Sequence, residues 1–157
     1  MYKSPSQLSE NARIEIAKQL NARLADGLDL HSQIKLAHWN VRGPQFAGLH
    51  PLFEQFAIQL ATHTDAIAER AVTLGSLAVG TARQVAAGST LPEYAVATTR
   101  DIDHVKLLAE RFDVFLAGVR DSRTAIEEHR DTDSVDLLTT VISDFEKNAW
   151  FLRATLA

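Results

Sequence analysis

The sequence contains no cysteine. Disulfides, cysteine zinc fingers and thiol catalysis are therefore excluded, and any metal must be held by His, Asp or Glu, with help from backbone or water. Long apolar runs are missing too: none approaches the ~18 residues of a membrane span. The opening segment MYKSPSQLSENARIE lacks the hydrophobic stretch of a secretory signal, so a cytoplasmic location is expected. Positive charge is in deficit. A net charge of -4 over 157 residues speaks mildly against a protein built chiefly to neutralise phosphates. No segment sustains strand-like alternation, and there is no Asn-Gly hairpin signal or internal repeat. With 46% hydrophobic and 23% charged residues, residues 1–157 suit one soluble domain with a sizeable core, preceded by a short tail over 1–6.

Prolines are few, and Pro5, Pro44, Pro51 and Pro92 all fall where the residue pattern changes. Between them the apolar residues recur at helical spacing. Leu8, Ala12, Ile16, Leu20, Leu24, Leu28 and Leu36 predict a first helix from about Gln7 to Asn40, ended by Gly43-Pro44. Leu52, Phe56, Leu60, Ile67 and Leu74 predict a second from about Gly48 to Leu74, with Gly75 as its C-terminal cap. A Gly-, Ser- and Thr-rich link follows, with a short helix expected over Thr81 to Ala87, because a structureless loop of that length would be unusual. A third helix is expected from Thr98 or Thr99, with Asp101 and Asp103 in its acidic first turn. The fourth is expected after the polar stretch from Glu127 to Asp133, with Asp131 or Thr132 as N-cap. Four long helices with one long middle crossover describe an all-α, ferritin-like four-helix bundle.

Metal-capable side chains concentrate at the first turnaround: His38, His50, Glu54, Asp65 and Glu69. On a regular second helix His50 and Glu54 lie one turn apart, as do Asp65 and Glu69. Eleven residues, three turns plus about 20°, separate Glu54 from Asp65, so all four share one stripe. Mixed histidine and carboxylate donors suit iron, zinc or manganese better than calcium or magnesium. Taken singly, each feature has a bland explanation. An Asp-x-x-x-Glu is usually a solvated face, a His beside Trp usually packs, and His50 before Pro51 can cap a helix. Their convergence on one stripe favours metal binding.

The stripe cannot be one site within one chain. Eleven residues rise roughly 16 Å, whereas metal–ligand bonds are about 2 Å long. Two readings survive: two unrelated sites, or a composite site in which an antiparallel copy of the helix, related by a two-fold axis, supplies the other half. Single-chain di-iron bundles carry Glu-x-x-His motifs. No Glu here is followed by His at that spacing; the nearest match is Asp101-x-x-His104. That gives weight to the intersubunit reading. His31 and His63 are neighbouring histidines with packing roles or extra ligation open to them.

The run His38-Trp39-Asn40-x-x-Gly43, then Phe46, His50, Glu54, Asp65-x-x-Ala68-Glu69-Arg70 and Leu74-Gly75, resembles the Dps miniferritins, DNA-binding proteins from starved cells. The helix plan and Trp150-Phe151 extend the resemblance over nearly the whole chain. It implies a hollow homododecamer built from two-fold dimers that oxidises Fe(II), preferably with hydrogen peroxide, stores the ferric mineral inside, and so protects against oxidative stress. It implies His38, His50 and Glu54 as iron ligands from one chain, with Asp65 and Glu69 from its partner. Zinc is an alternative occupant of the same site. The position of Glu54 is commonly Asp in the family, one methylene shorter. Trp39, next to a ligand, is implied as an electron donor when peroxide exceeds iron, with interface packing as its alternative. The resemblance also implies acids at the start of the last helix lining an iron-entry pore, for which Asp131, Asp133 and Asp136 are the candidates.

Members that bind DNA directly often carry lysine-rich tails, whereas residues 1–6 hold only Lys3. Twelve copies would carry roughly -48, a field that repels a polyanion. Weak or absent direct DNA binding is therefore expected, with nucleoid association in the cell left open. The competing readings are a nucleoid-compacting DNA-binding protein with incidental iron, which the tail disfavours, and a metal-free helical assembly, which the His/carboxylate stripe disfavours.

Overall fold

The computed structural model describes residues 3–157. Five helices follow in order: α1 (Glu10–Asn40), α2 (Phe46–Thr73), α3 (Ala82–Gly88), α4 (Asp101–Glu127) and α5 (Thr132–Leu156). The four long helices pack as α1 on α2, α2 on α5, α5 on α4 and α4 on α1, and α3 lies against α1. At the centre the fully buried Phe112, Phe115 and Phe145 meet edge to face, with ring centroids 5.2 and 5.3 Å apart. This is the arrangement favoured by the aromatic quadrupole. Gly27 sets the distance between α1 and α2, because a Cβ there would lie 2.6 Å from Thr64 Cγ2.

The crossover runs alongside α1 from its start to its end. Arg13 donates to the Leu74 carbonyl at 3.0 Å. Asn21 holds both the Leu77 carbonyl and the Val79 N–H. Buried Asp26, paired with Arg23 at 3.2 Å, accepts from the Thr90 N–H at 2.7 Å. Gln33 donates to the Pro92 carbonyl at 3.1 Å. Finally the Arg42 N–H donates to the Thr99 carbonyl at the far end of α1. The crossover therefore returns the chain to the end of the bundle where α2 began, and α2 and α4 run in the same direction, as the ferritin-like plan requires.

Three long-helix starts differ from the sequence expectation. α1 starts at Glu10 rather than near Gln7. The hydroxyls of Ser4 and Ser6 take the Ser6 and Leu8 N–H groups into turns, and Ser9 caps the helix through the Ala12 N–H. Ser4 also donates to the Thr73 carbonyl, so the described part of the expected tail is anchored, while Met1 and Tyr2 lie outside the described residues. α2 begins at Phe46, two residues early, and takes Pro51 inside it. The carbonyl that Pro51 leaves without its helical donor belongs to Ala47, which is exposed to solvent. α2 ends in a Schellman motif about Gly75 at φ 89°, with Ser76 N–H to Ala71 O and Gly75 N–H to Val72 O. α4 begins at Asp101 rather than Thr98, because the Thr99 carbonyl and Asp101 N–H bracket Arg42 in an extended pairing.

Candidate metal centre

The end of α1 and the start of α2 present His38 and His50 face to face. Their rings stack with centroids 3.8 Å apart. Each Nδ1 lies against the other residue's carbonyl: His38 Nδ1 is 2.8 Å from the His50 oxygen, and His50 Nδ1 is 2.9 Å from the His38 oxygen. A carbonyl only accepts, so each Nδ1 carries the hydrogen and donates it. That leaves the lone pair of each neutral ring on Nε2, the tautomer a metal ligand needs, fixed by the kind of outer hydrogen bond that orients ligating histidines. Phe46 packs against His50 at 5.0 Å between centroids and closes that side.

Glu54, one turn along α2 from His50, completes the group. His38 Nε2 lies 3.4 Å from Glu54 Oε2. Two donors each about 2.1 Å from a common ion, at a tetrahedral angle, are about 3.4 Å apart. Nitrogen and oxygen are thus already spaced as ligand neighbours. One group stands in the way. The Lys35 ammonium, one turn before His38, bonds the same Glu54 oxygen. This bond is the principal reason that the Glu54 carboxyl titrates below its ordinary value, with the partial burial of the site acting against it. Lys35 also lies 5.8 Å from the centroid of the Trp39 ring, which is 68% exposed. The sequence reading gave no role to Lys35. Its only signal was its spacing one turn from a ligand, which any helical lysine can share.

Asp65 and Glu69, further along α2, are both exposed, and neither carboxylate has a hydrogen-bond or ion-pair partner among the described residues. No group of three or more His, Asp or Glu side chains gathers into a metal site among the described residues. His38 and Glu54 approach one another, His50 stacks beside them, and Asp65 and Glu69 stand apart.

His31 is half-buried on the α1 face that also carries Lys35 and Trp39. Burial lowers its basicity first, the nearby Lys35 charge adds to that, and Glu54 opposes both. His63 is buried and turned towards α5, where Nε2 meets Asp144 Oδ2 at 2.9 Å and its ring meets the edge of Phe145.

Among the three acids proposed for a pore, Asp131 is buried. It accepts from Arg70 Nη2 at 2.7 Å and from the Ser134 hydroxyl, and Arg70 Nε donates to Ser134 Oγ at 2.8 Å. Asp131 thus occupies the N-cap position of α5, but its carboxylate is spent on tying α5 to α2. Asp133 and Asp136 face solvent.

The weak Asp101-x-x-His104 match resolves into two structural contacts. Asp101 Oδ2 accepts from the Gln45 N–H at 2.9 Å, and this bond is the first cause of its depressed pKa. His104 Nδ1 lies 2.7 Å from the buried Tyr94 hydroxyl. Asp101 clamps the link that brings His50 back to His38. Gly43 makes room for it at φ 137°, since a Cβ there would lie 2.4 Å from Asp101 Oδ2.

Comparison with known proteins agrees with this architecture. The Ferritin-like domain family matches residues 17–157. The DNA protection during starvation protein of Agrobacterium fabrum is 35% identical over 153 residues, covering 98% of this chain and 94% of the relative. That of Mycolicibacterium smegmatis is 36% identical over 152 residues, covering 95% and 81%. Among solved structures, DpsC from Streptomyces coelicolor superposes with a TM-score of 0.94 at 32% identity, covering 99% of this chain and 91% of that one. Mycobacterium smegmatis Dps superposes with a TM-score of 0.94 at 30% identity, covering 99% and 94%. With its fold, its helix plan and its close relatives in agreement, this chain belongs to the Dps miniferritins of the ferritin-like family.

Proposed function

We propose that this chain, a single ferritin-like domain, is a ferroxidase and iron-storage miniferritin whose working site forms between two copies across a two-fold axis. The observation that carries this reading is the half-built donor set. His38 Nε2 and Glu54 Oε2 stand at ligand spacing, while Asp65 and Glu69 present unpartnered carboxylates on the same helix. Their spacing along α2, roughly 16 Å, requires a second chain if they are to meet. His38, His50 and Glu54 of one chain would bind Fe(II) together with Asp65 and Glu69 of the other. Histidine nitrogen suits the ferrous ion. The carboxylates favour the harder ferric product and so pull the oxidation forward. The donor set also accepts zinc, a redox-silent occupant of the same position.

Hydrogen peroxide is the oxidant this arrangement suits. Two ferrous ions each give one electron to one peroxide. Its O–O bond breaks and, with two protons, both oxygens leave as water, so no hydroxyl radical is released. Dioxygen is the poorer oxidant. The ferric product would collect inside a homododecamer, protecting the cell against oxidative stress. Asp133, exposed but 3.7 Å from the same Arg70, and Asp136 are the acids that remain open to solvent to guide iron at the start of α5, because Asp131 is buried against Arg70. Among the described residues no helix is long and apolar enough to cross a membrane, and the proposed setting is the cytoplasm. The net charge of -4 per chain opposes direct DNA binding at neutral pH, whatever DNA protection its relatives provide. Tight plasmid retention in a low-salt gel shift would contradict this.

The test is anaerobic Fe(II) loading followed by peroxide. Wild type should give a soluble ferric species rapidly, and His38→Ala and Asp65→Ala should not. A wild-type rate no faster than buffer would overturn the reading. Replacing Asp133 and Asp136 together by Asn should slow iron uptake and leave the dimer intact.

A further inference from the structure

Tyr94 and His104 form a buried pair that the metal centre does not use. Tyr94 is 3% exposed and His104 fully buried. The phenol oxygen lies 2.7 Å from His104 Nδ1, with the two rings stacked at 16°. The chain has only two tyrosines, and this one sits where the crossover meets α4. Tyr94 and Trp39 line the same groove, of about 480 Å³, so the pair adjoins the residue next to the ligand His38. Burial lowers the His104 pKa first, with the backbone of Thr98 and Asn40 opposing it, and its buried Nε2 has no hydrogen-bond partner among the described residues.

A tyrosine buried away from water cannot lose its phenolic proton to solvent, and burial raises the Tyr94 pKa strongly. Oxidation by one electron makes a phenol intensely acidic, so it proceeds only where a base is already bonded to the hydroxyl. His104 Nδ1 is such a base. The tautomer with its hydrogen on Nε2 leaves Nδ1 free to accept from Tyr94.

We propose that Tyr94–His104 is a redox-active pair that quenches single oxidising equivalents escaping the iron centre. This rests on the ferroxidase reading above. When peroxide meets one ferrous ion rather than two, a single electron is transferred, and hydroxide and hydroxyl radical result. The hydroxyl radical takes an electron from exposed Trp39 and becomes hydroxide, leaving a tryptophan radical cation. The Lys35 ammonium near the indole disfavours positive charge there. Tyr94 then returns an electron to Trp39 as its phenolic proton passes to His104 Nδ1. The products are neutral Trp39, a neutral Tyr94 phenoxyl radical and protonated His104. No bond to oxygen is made on the protein, and the damage is held on one buried ring.

The test uses freeze-quench electron paramagnetic resonance on the assembled protein in two arms. One arm adds Fe(II) and excess hydrogen peroxide. The other adds no iron and oxidises the protein with photogenerated ruthenium(III) tris-bipyridine. A phenoxyl signal is expected in both, lost in Tyr94→Phe. It should form more slowly in deuterium oxide, because proton and electron leave together; a merely structural hydrogen bond would show no such isotope effect. His104→Gln keeps a hydrogen-bond acceptor but no proton acceptor, and should lose the signal while its thermal unfolding is checked separately. If the iron-free arm gives no Tyr94 signal, the proposal fails whatever the iron arm shows. A signal in the iron-free arm alone upholds the redox pair and counts instead against peroxide chemistry at the iron site.

Discussion

A site split between two chains, as proposed, has a consequence that mutation can count. His38→Ala damages only the half made by His38, His50 and Glu54, and Asp65→Ala only the half made by Asp65 and Glu69. Each variant alone should oxidise Fe(II) at the rate of buffer, because every site in it contains one damaged half. In a dimer holding one copy of each, one site inherits both damaged halves and the other inherits both intact halves. A two-fold interface makes every contact twice, so random assembly of equal amounts leaves half the dimers mixed and about a quarter of all sites intact. If both pairs serve one site, the rise of α2 requires this outcome, since Glu54 and Asp65 of one chain stand roughly 16 Å apart along it, against a ligand bond of about 2 Å. The assay is the initial rate of peroxide-driven Fe(II) oxidation per subunit. It is measured on the two variants unfolded and refolded together, with the same two mixed after separate refolding as control. The refolded mixture should recover about a quarter of the wild-type rate and the control none. A refolded mixture no faster than its parents would mean that the site is not shared, and the argument from helical rise would fall.

Lys35→Met removes the cation that occupies Glu54, so Fe(II) should bind more tightly at neutral pH. With Lys35 gone the carboxyl protonates at higher pH, and the acid fall-off in binding should move up; calorimetric titration giving the wild-type profile would remove Lys35 from the account. His104 is held below its ordinary pKa by burial first. The folded state therefore binds fewer protons than the unfolded one, whose His titrates near ~6.5. Its contribution is full above that pH and is lost as pH falls through the folded value, so denaturant unfolding from pH 8 to 5 should show a flatter pH dependence in His104→Gln than in wild type. Gly43→Ala puts a Cβ 2.4 Å from Asp101 Oδ2 at a backbone angle unsuited to it, and should cost ~1–3 kcal/mol; a change within ~0.5 kcal/mol would mark the position as indifferent. Zn(II), bridging the halves without redox chemistry, should tighten the dimer by about 2.7 kcal/mol per site at a hundredfold excess over its Kd, and sedimentation that shows no tightening would speak against a bridged site.

The helices and crossover were legible in the sequence because they are written in local periodicity. Ile16, Leu20, Leu24, Phe56, Leu60 and Ile67 all lie in the core that their spacing predicted. The start of α4 was misplaced because it rests on a contact between distant segments. Nothing around Thr98 announces that Arg42, far upstream, will hold the next residues extended. Likewise Asp131 has the composition and position of a solvated helix cap. Only the arrival of Arg70 from α2 turns it into a buried tie. The proposed ligands could be named from helical spacing and motif, and of them the structure brings His38 and Glu54 together while Asp65 and Glu69 stand apart. Lys35 and the Tyr94–His104 pair could not be named that way, since each acts through a partner brought by tertiary packing.

The metal half-site itself depends on such a packing contact. Stacking His38 on His50 requires the link between α1 and α2 to reverse the chain so that each imidazole reaches the other's carbonyl. That reversal is not self-supporting. Gly43 takes a backbone angle open chiefly to glycine, and the Asp101 carboxylate then fills the space where a side chain would be and holds the Gln45 N–H. Arg42 meanwhile is fixed on both sides by Thr99 and Asp101. The first turn of α4 therefore supports the tautomer and facing of two proposed ligands on other helices, without touching either. Its control persists into acid, because the bond from Gln45 keeps the Asp101 carboxyl ionised below its ordinary range. The clamp should accordingly keep its bond to Gln45 at a pH where an ordinary carboxyl would already be protonated.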